Sequence, residues 1–173
     1  LARDCRVICP DIVGRGKSDW LRDPLHYGYP QYCADMNALI ARIGADDILW
    51  VGTSMGGVIG MTLAAQAGSP IRRLVINDVG PFVPKTALQR IADYVGLDNR
   101  FSSLAAIETH LRKVLAPFGP LTDAQWQHLV KHGHRQREDG TFGLAYDPAI
   151  ANNVRLGVQD WDLWPLWDRI TCP

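Results

Sequence analysis

The chain has 173 residues, 18 basic and 18 acidic side chains, a formal net charge of zero and 47% hydrophobic content. Length and composition fit one globular domain. Balanced charge with no basic block gives no general drive toward nucleic acid or anionic lipid, so neither partner is expected. The cysteines, Cys5, Cys9, Cys33 and Cys172, have no Cys-x-x-Cys spacing, and reduced thiols in a cytoplasmic protein are the expectation.

In chain order, residues 6–9 read as an apolar strand that runs into a glycine-rich turn. Gly14-Arg15-Gly16-Lys17-Ser18 ends like a phosphate-binding loop. The full pattern needs glycine at position 11, where Asp11 stands, and Pro24, Gly28 and Pro30 follow where a helix is required. A turn stabilised by Asp11 is the preferred reading over nucleotide binding. Tyr32, Met36, Leu39, Ile40 and Ile43 then recur at helical spacing, and Gly44 supplies a stop.

Residues 48–71 contain no charged side chain and are long enough to span a bilayer. The run nevertheless includes Thr53, Ser54, Thr62, Gln66, Ser69 and Pro70, and it changes character midway. Residues 48–51 read as a buried strand and residues 58–65 as a helix, so no membrane span is expected. Between them lies Val51-Gly52-Thr53-Ser54-Met55-Gly56-Gly57, a serine between glycines where a strand turns into a helix. In that setting Gly-x-Ser-x-Gly is a nucleophile elbow: the sharp corner exposes the serine side chain, and flanking glycines remove side chains that would collide. Met55 falls in the first helical turn, where its backbone N–H can donate to a developing oxyanion.

Residues 74–77 form the next strand, closed by Asp78. Alternating strands and helices predict a parallel sheet with right-handed crossovers. From Pro81 to about Pro165 helical patterns take over. Leu88, Ile91, Ala92 and Val95 make one apolar stripe, and Leu104, Ile107, Leu111, Val114 and Leu115 another; Thr122-x-x-Gln125 reads as a capping box for a third helix that Gly133 closes. His128 and His132 are four apart, but Leu129 occupies the place that the zinc-protease motif gives to glutamate, so no metal is expected. Trp161, Trp164 and Trp167 read as packing anchors in preference to the lining of a hydrophobic gorge.

Three segments, residues 6–19, the elbow, and residues 72–81, together resemble the α/β-hydrolase fold family, and within it the cap-bearing bacterial serine esterase and epoxide-hydrolase-like group. The resemblance implies a mostly parallel sheet with helices on both faces and a helical cap. It makes the three segments the fourth, fifth and sixth strands and residues 168–173 the lead-in to the seventh. The sequence is therefore expected to be a fragment lacking the first three and last two strands, and inactive alone. The expected division is a partial core over residues 1–80, a cap over 81–165 and a return to the core over 166–173. Because the family places its third strand between the fourth and fifth, residues 6–9 and 48–51 are expected either roughly 9 to 10 Å apart, two strand spacings, or bridged by a segment absent from this sequence, and not directly paired.

The resemblance also implies a serine hydrolase without metal or organic cofactor, acting on a small-molecule acyl substrate. Ser54 is the expected nucleophile, Met55 N–H an oxyanion donor, and the base a histidine outside this sequence, since the family order is Ser, acid, His and none of His26, His110, His128, His132 and His134 occupies that place. Asp78 is the acid candidate within the chain; the commoner family position follows the seventh strand, and the alternative role for Asp78 is to cap local backbone N–H groups. Serine at the elbow disfavours epoxide hydrolase and dehalogenase chemistry, which in similar proteins uses aspartate. Carboxylic ester, thioester, lactone and carbon–carbon cleavage remain open. The competing class is a noncatalytic binding or scaffold protein that retains the fold.

Overall fold

The structure is a computed structural model that describes residues 2–98 and 100–173. Its regular elements are α1 (Tyr29–Ile43), β1 (Ile48–Thr53), α2 (Met55–Ala64), β2 (Ile71–Asn77), β3 (Phe82–Val83), α3 (Lys85–Tyr94), α4 (Leu104–Val114), α5 (Asp123–Gly133), β4 (His134–Gln136), β5 (Phe142–Leu144), α6 (Ala151–Leu156), β6 (Trp161–Asp162) and α7 (Trp164–Trp167). They fall into two compact units, each discontinuous in sequence: one combines Asp23–Asp93 with Asn152–Pro173, the other Leu1–Arg22 with Tyr94–Ala151.

The first unit holds the elbow. β1 and β2 pair in parallel, with Trp50 opposite Leu74, Val51 opposite Val75 and Thr53 opposite Asn77. α2 packs on both strands and α1 packs on α2. The uncharged run of residues 48–71 thus resolves into β1, α2 and the start of β2, and among the described residues no helix is long and apolar enough to cross a membrane. α2 lies close because Gly60 has no side chain: a Cβ there would stand 2.5 Å from Trp50 Nε1 and 2.9 Å from Leu74 Cδ1. The opposite face of the strand pair is open, with Leu49 56%, Val51 65% and Val75 55% exposed.

Backbone groups of successive residues in a strand point to opposite edges. Asn77 is bonded toward β1, whereas Leu74 N–H donates to the carbonyl of Pro173 at 2.9 Å on the far edge of β2. The segment read as leading into a further strand therefore runs along that edge. α1 ends on Gly44 at φ +63°, as its sequence signal predicts, and buries Tyr32, Cys33 and Met36. Two distant residues tie the unit together. Asp160 caps α3 by accepting from Lys85 N–H at 2.6 Å, and the Asn153 amide donates to the carbonyls of Leu25 at 2.8 Å and Tyr27 at 2.6 Å.

In the second unit α4 and α5 pack around Ile107, Trp126 and Val130. The capping box of α5 is present in both halves: Thr122 Oγ1 accepts from Gln125 N–H, and Gln125 Oε1 accepts from Thr122 N–H. The glycine-rich turn folds around Asp11, whose Oδ2 accepts from Lys17 N–H at 2.9 Å. Gly16, at φ +57°, has no room for a side chain beside the Asp11 carboxyl group. Gly16 N–H donates to Ala145 and Asp147 N–H to Gly14, docking the turn beside residues 145–147.

Three expectations need correction. Residues 6–9 are not a strand: they make no ladder among the described residues, and Val7 and Ile8 are exposed. A lone extended segment has no partner for its alternating N–H and C=O groups, so its apolar pattern alone does not make it sheet. Neither is it paired with β1, whose described partner is β2. Second, the stretch after Pro81 is not purely helical: β4 and β5 form an antiparallel hairpin through a turn at Gly140, φ +80°. Third, Trp161 is an anchor, edge-on to Tyr29 at 5.4 Å and donating Nε1–H to Gly157, but Trp164 and Trp167 stay largely exposed.

Gly60→Ala should overpack the α2 contact and lower stability by roughly 1–3 kcal/mol despite alanine's better helix propensity, and Thr122→Ala should cost about 1 kcal/mol through the lost cap. Urea unfolding of both variants against the parent chain measures the two losses.

Candidate active site

The corner between β1 and α2 is set by its backbone. Ser54 sits at φ +49°, ψ −113°, a conformation that costs a non-glycine residue on the order of 1–3 kcal/mol and persists only where its surroundings over-determine it. Here they do. Ser54 N–H donates to the Asn77 carbonyl at 2.8 Å, fixing the serine to the end of β2, and its own carbonyl accepts from Gly57 at 2.8 Å and Val58 at 3.1 Å, fixing it to the start of α2. Its hydroxyl makes no helix-capping bond. The half-buried side chain is therefore held in place by backbone bonds alone, with Oγ not spent on them.

Glycine packing sharpens the sequence reading. A side chain at Gly52 would collide with the carbonyl of Gly56, and one at Gly57 would stand 2.6 Å from Val79 Cγ1. Gly56 has open space, so the collision expected at the second motif glycine falls one residue later. Trp50 Nε1–H donates to the Gly56 carbonyl at 3.0 Å and anchors the first turn of α2. Met55 opens that helix, placing its N–H among the groups that lack intrahelical acceptors and where the helix dipole favours negative charge.

Asp78 follows Asn77 directly, at φ +62°, and so stands at the same end of the strand pair as Ser54. Its side chain is exposed and makes no hydrogen bond or ion pair among the described residues, so the expected capping of local N–H groups is not formed. Sequence reasoning missed Asn77. Its carbonyl seats Ser54 and its side-chain amide reaches Thr53 Oγ1 at 3.4 Å; a polar amide ending an otherwise aliphatic strand is the signal that could have found it.

The histidines lie elsewhere in the sequence and make local contacts. His26 ends a short 3-10 turn, Pro24–His26. His110 packs on Phe101, and burial together with the Lys113 charge holds its pKa below the ordinary value. His128 and His132 lie with ring centroids 4.5 Å apart and planes tilted by 49°, and a ring nitrogen of His134 lies 2.7 Å from the Val130 carbonyl. No group of three or more metal-ligating side chains occurs among the described residues. Cys33 is buried, and that burial pushes its thiol above the usual range, which disfavours the reactive thiolate.

The profile of the α/β hydrolase fold matches residues 1–168. The chain is 46% identical over 182 residues to a 3-hydroxybutyrate-oligomer hydrolase of Cupriavidus necator, covering all of this chain and 62% of that protein. It is 27% identical to a 2-(acetamidomethylene)succinate hydrolase of Mesorhizobium japonicum, over 96% of this chain and 58% of that one. Among solved structures, an α/β hydrolase from Novosphingobium aromaticivorans superposes with a TM-score of 0.86 at 35% identity, covering 98% of this chain and 61% of that one. The chain thus spans about three-fifths of the length of these relatives. The elbow geometry, the match along nearly the whole chain and the identity to these proteins place the chain in the α/β-hydrolase fold family.

Proposed function

We propose that the full-length protein is a serine hydrolase that cleaves the ester bond of a short hydroxy-acid ester through an acyl-enzyme on Ser54. The observation that carries this reading is the positive φ of Ser54 at the β1–α2 corner, held by bonds to Asn77, Gly57 and Val58 that leave the hydroxyl uncommitted. In the proposed reaction Ser54 Oγ attacks the ester carbonyl while a histidine outside these residues takes its proton. The Met55 N–H donates to the oxyanion, and the alcohol leaves with the proton returned to it. Water, deprotonated by the same base, then attacks the acyl carbonyl and releases the acid and Ser54.

The substrate class comes from the relative with 46% identity, named for hydrolysis of 3-hydroxybutyrate oligomers. Such oligomers are hydroxy acids joined by esters, with a carboxylate at one end. A cytoplasmic site of action belongs to the same proposal and is supported by four free cysteines, two of them exposed. A noncatalytic binding protein on the same fold is the competing reading.

An active-site-directed fluorophosphonate, followed by intact mass on the full-length polypeptide, should add one adduct that Ser54→Ala abolishes. No adduct on a folded protein would overturn the enzyme reading in favour of the binding protein. Met55→Ala keeps the amide and should hold kcat within about tenfold of the parent, because the oxyanion donor is backbone. Asp78→Asn assigns the acid: a fall in kcat of about 10⁴-fold gives Asp78 the role of orienting the histidine, and an unchanged kcat places that acid outside these residues.

A further inference from the structure

One peptide group stands between the nucleophile's backbone and the strand beneath it. Trp50 and Gly52 are two apart on β1, so they share the face that α2 covers, while Leu49 and Val51 on the other face are exposed. Both meet the peptide group that joins Gly56 to Gly57. Trp50 Nε1–H donates to its carbonyl at 3.0 Å, and a Cβ on Gly52 would stand 2.6 Å from its nitrogen. The N–H of the same peptide donates to the Ser54 carbonyl at 2.8 Å, so it is bonded at both ends. Gly60 completes the arrangement: a side chain there would strike Trp50 Nε1 at 2.5 Å and Cδ1 at 2.6 Å and push the indole off its acceptor.

A trans peptide group is a rigid plane, so fixing its carbonyl fixes the N–H on its other side. The Ser54 carbonyl and the Met55 N–H belong to one such plane. Gly57 N–H holds that carbonyl at 2.8 Å, with Val58 N–H a second donor at 3.1 Å, and the two thereby aim Met55 N–H, which opens α2. The donors run in one direction: Trp50 to Gly56, Gly57 to Ser54, and Met55 outward from the corner. Hydrogen bonds arranged head to tail polarise one another, so each donation makes the next N–H a stronger donor. A buried indole N–H ordinarily finds some acceptor; this one takes a carbonyl one peptide removed from the nucleophile's own.

We propose that Trp50 is a positioning residue for the oxyanion donor: its indole N–H, acting through the Gly56–Gly57 peptide and the Ser54 carbonyl, holds and polarises Met55 N–H. The role rests on the serine-hydrolase reading, in which negative charge develops on the substrate carbonyl oxygen beside Met55. Trp50 acts through other groups and not on the substrate, so its effect falls on the transition state and not on ground-state binding. Removing a direct oxyanion donor lowers kcat by roughly 10²–10³-fold, and a donor two hydrogen bonds away should count for less, about tenfold.

The test measures kcat and KM for p-nitrophenyl butyrate with the full-length protein and its Trp50→Phe and Trp50→His variants, alongside urea unfolding of each. Trp50→Phe keeps an aromatic ring and loses the donor. Acylation and deacylation both pass through an oxyanion, so both should slow together: kcat about tenfold lower, KM within about twofold. Trp50→His, assayed at about pH 8 where imidazole is neutral, sets a ring N–H near the indole position and should bring kcat back to within about threefold of the parent. A purely structural role predicts instead that activity follows stability across both variants, with no recovery by histidine. The fluorophosphonate labelling rate, whose transition state puts an oxygen in the same hole, should fall by the same factor and serves as the readout if this ester is a poor substrate. If Trp50→Phe does not fold, Gly60→Ala, which displaces the indole and leaves Trp50 in place, should show the same fall in kcat. An unchanged kcat in folded Trp50→Phe, a loss carried wholly by KM, or a histidine variant as impaired as phenylalanine would overturn the proposal and leave the hydrolase reading standing. A folded parent with neither ester turnover nor fluorophosphonate labelling overturns both.

Discussion

The elbow depends on a backbone turn that serine does not adopt willingly. Ser54 can hold φ +49° because its N–H and C=O are bonded to two different elements, β2 through Asn77 and α2 through Gly57 and Val58. Those bonds require α2 to lie close against β1 and β2. Gly52, Gly57 and Gly60 give up side chains for that approach, and Trp50 fills the space between strand and helix while donating to Gly56. The strain at one residue is thus sustained by packing at several others, which is how a fold stores geometry for use at a site.

The second unit solves a different problem. Its helices have a conventional apolar core around Ile107 and Trp126, and Arg112 links Glu108 and Asp123 above the Trp126 ring. Its hairpin, by contrast, packs guanidinium groups against an aromatic face and a glycine. Burying a guanidinium N–H without a partner is costly, and the Nε–H groups of Arg135 and Arg137 have none among the described residues.

Local signals were the legible ones. The stop at Gly44, both halves of the Thr122–Gln125 capping box, the Asp11-centred turn and the strand-to-helix corner at Ser54 all follow from chemistry within a few residues, and each is present in the structure. What depended on distant partners was not legible. Residues 6–9 have a strand's pattern but no ladder, and residues 134–144 read as part of a helical stretch although they pair with each other and with Phe101. The seat of Ser54 on Asn77 likewise needs the register of β1 against β2, which no short window contains. The Arg135–Arg137 pair carried no sequence motif; only burial distinguishes it from ordinary surface charge.

Both units are assembled from segments far apart in the chain, and this sets an order of events during synthesis. The turn at Gly14 and Gly16 emerges from the ribosome long before Ala145 and Asp147, to which it bonds, and Tyr27 waits for Asn153. α3 waits for its cap until Asp160 is made, and the edge of β2 waits for Pro173. Early-made segments therefore remain without these partners while the residues between them are being translated, and the apolar α2 with its neighbouring strands is exposed over that interval. Each of these contacts closes over a long stretch of chain, so a segment made early stays open until its distant partner has been made.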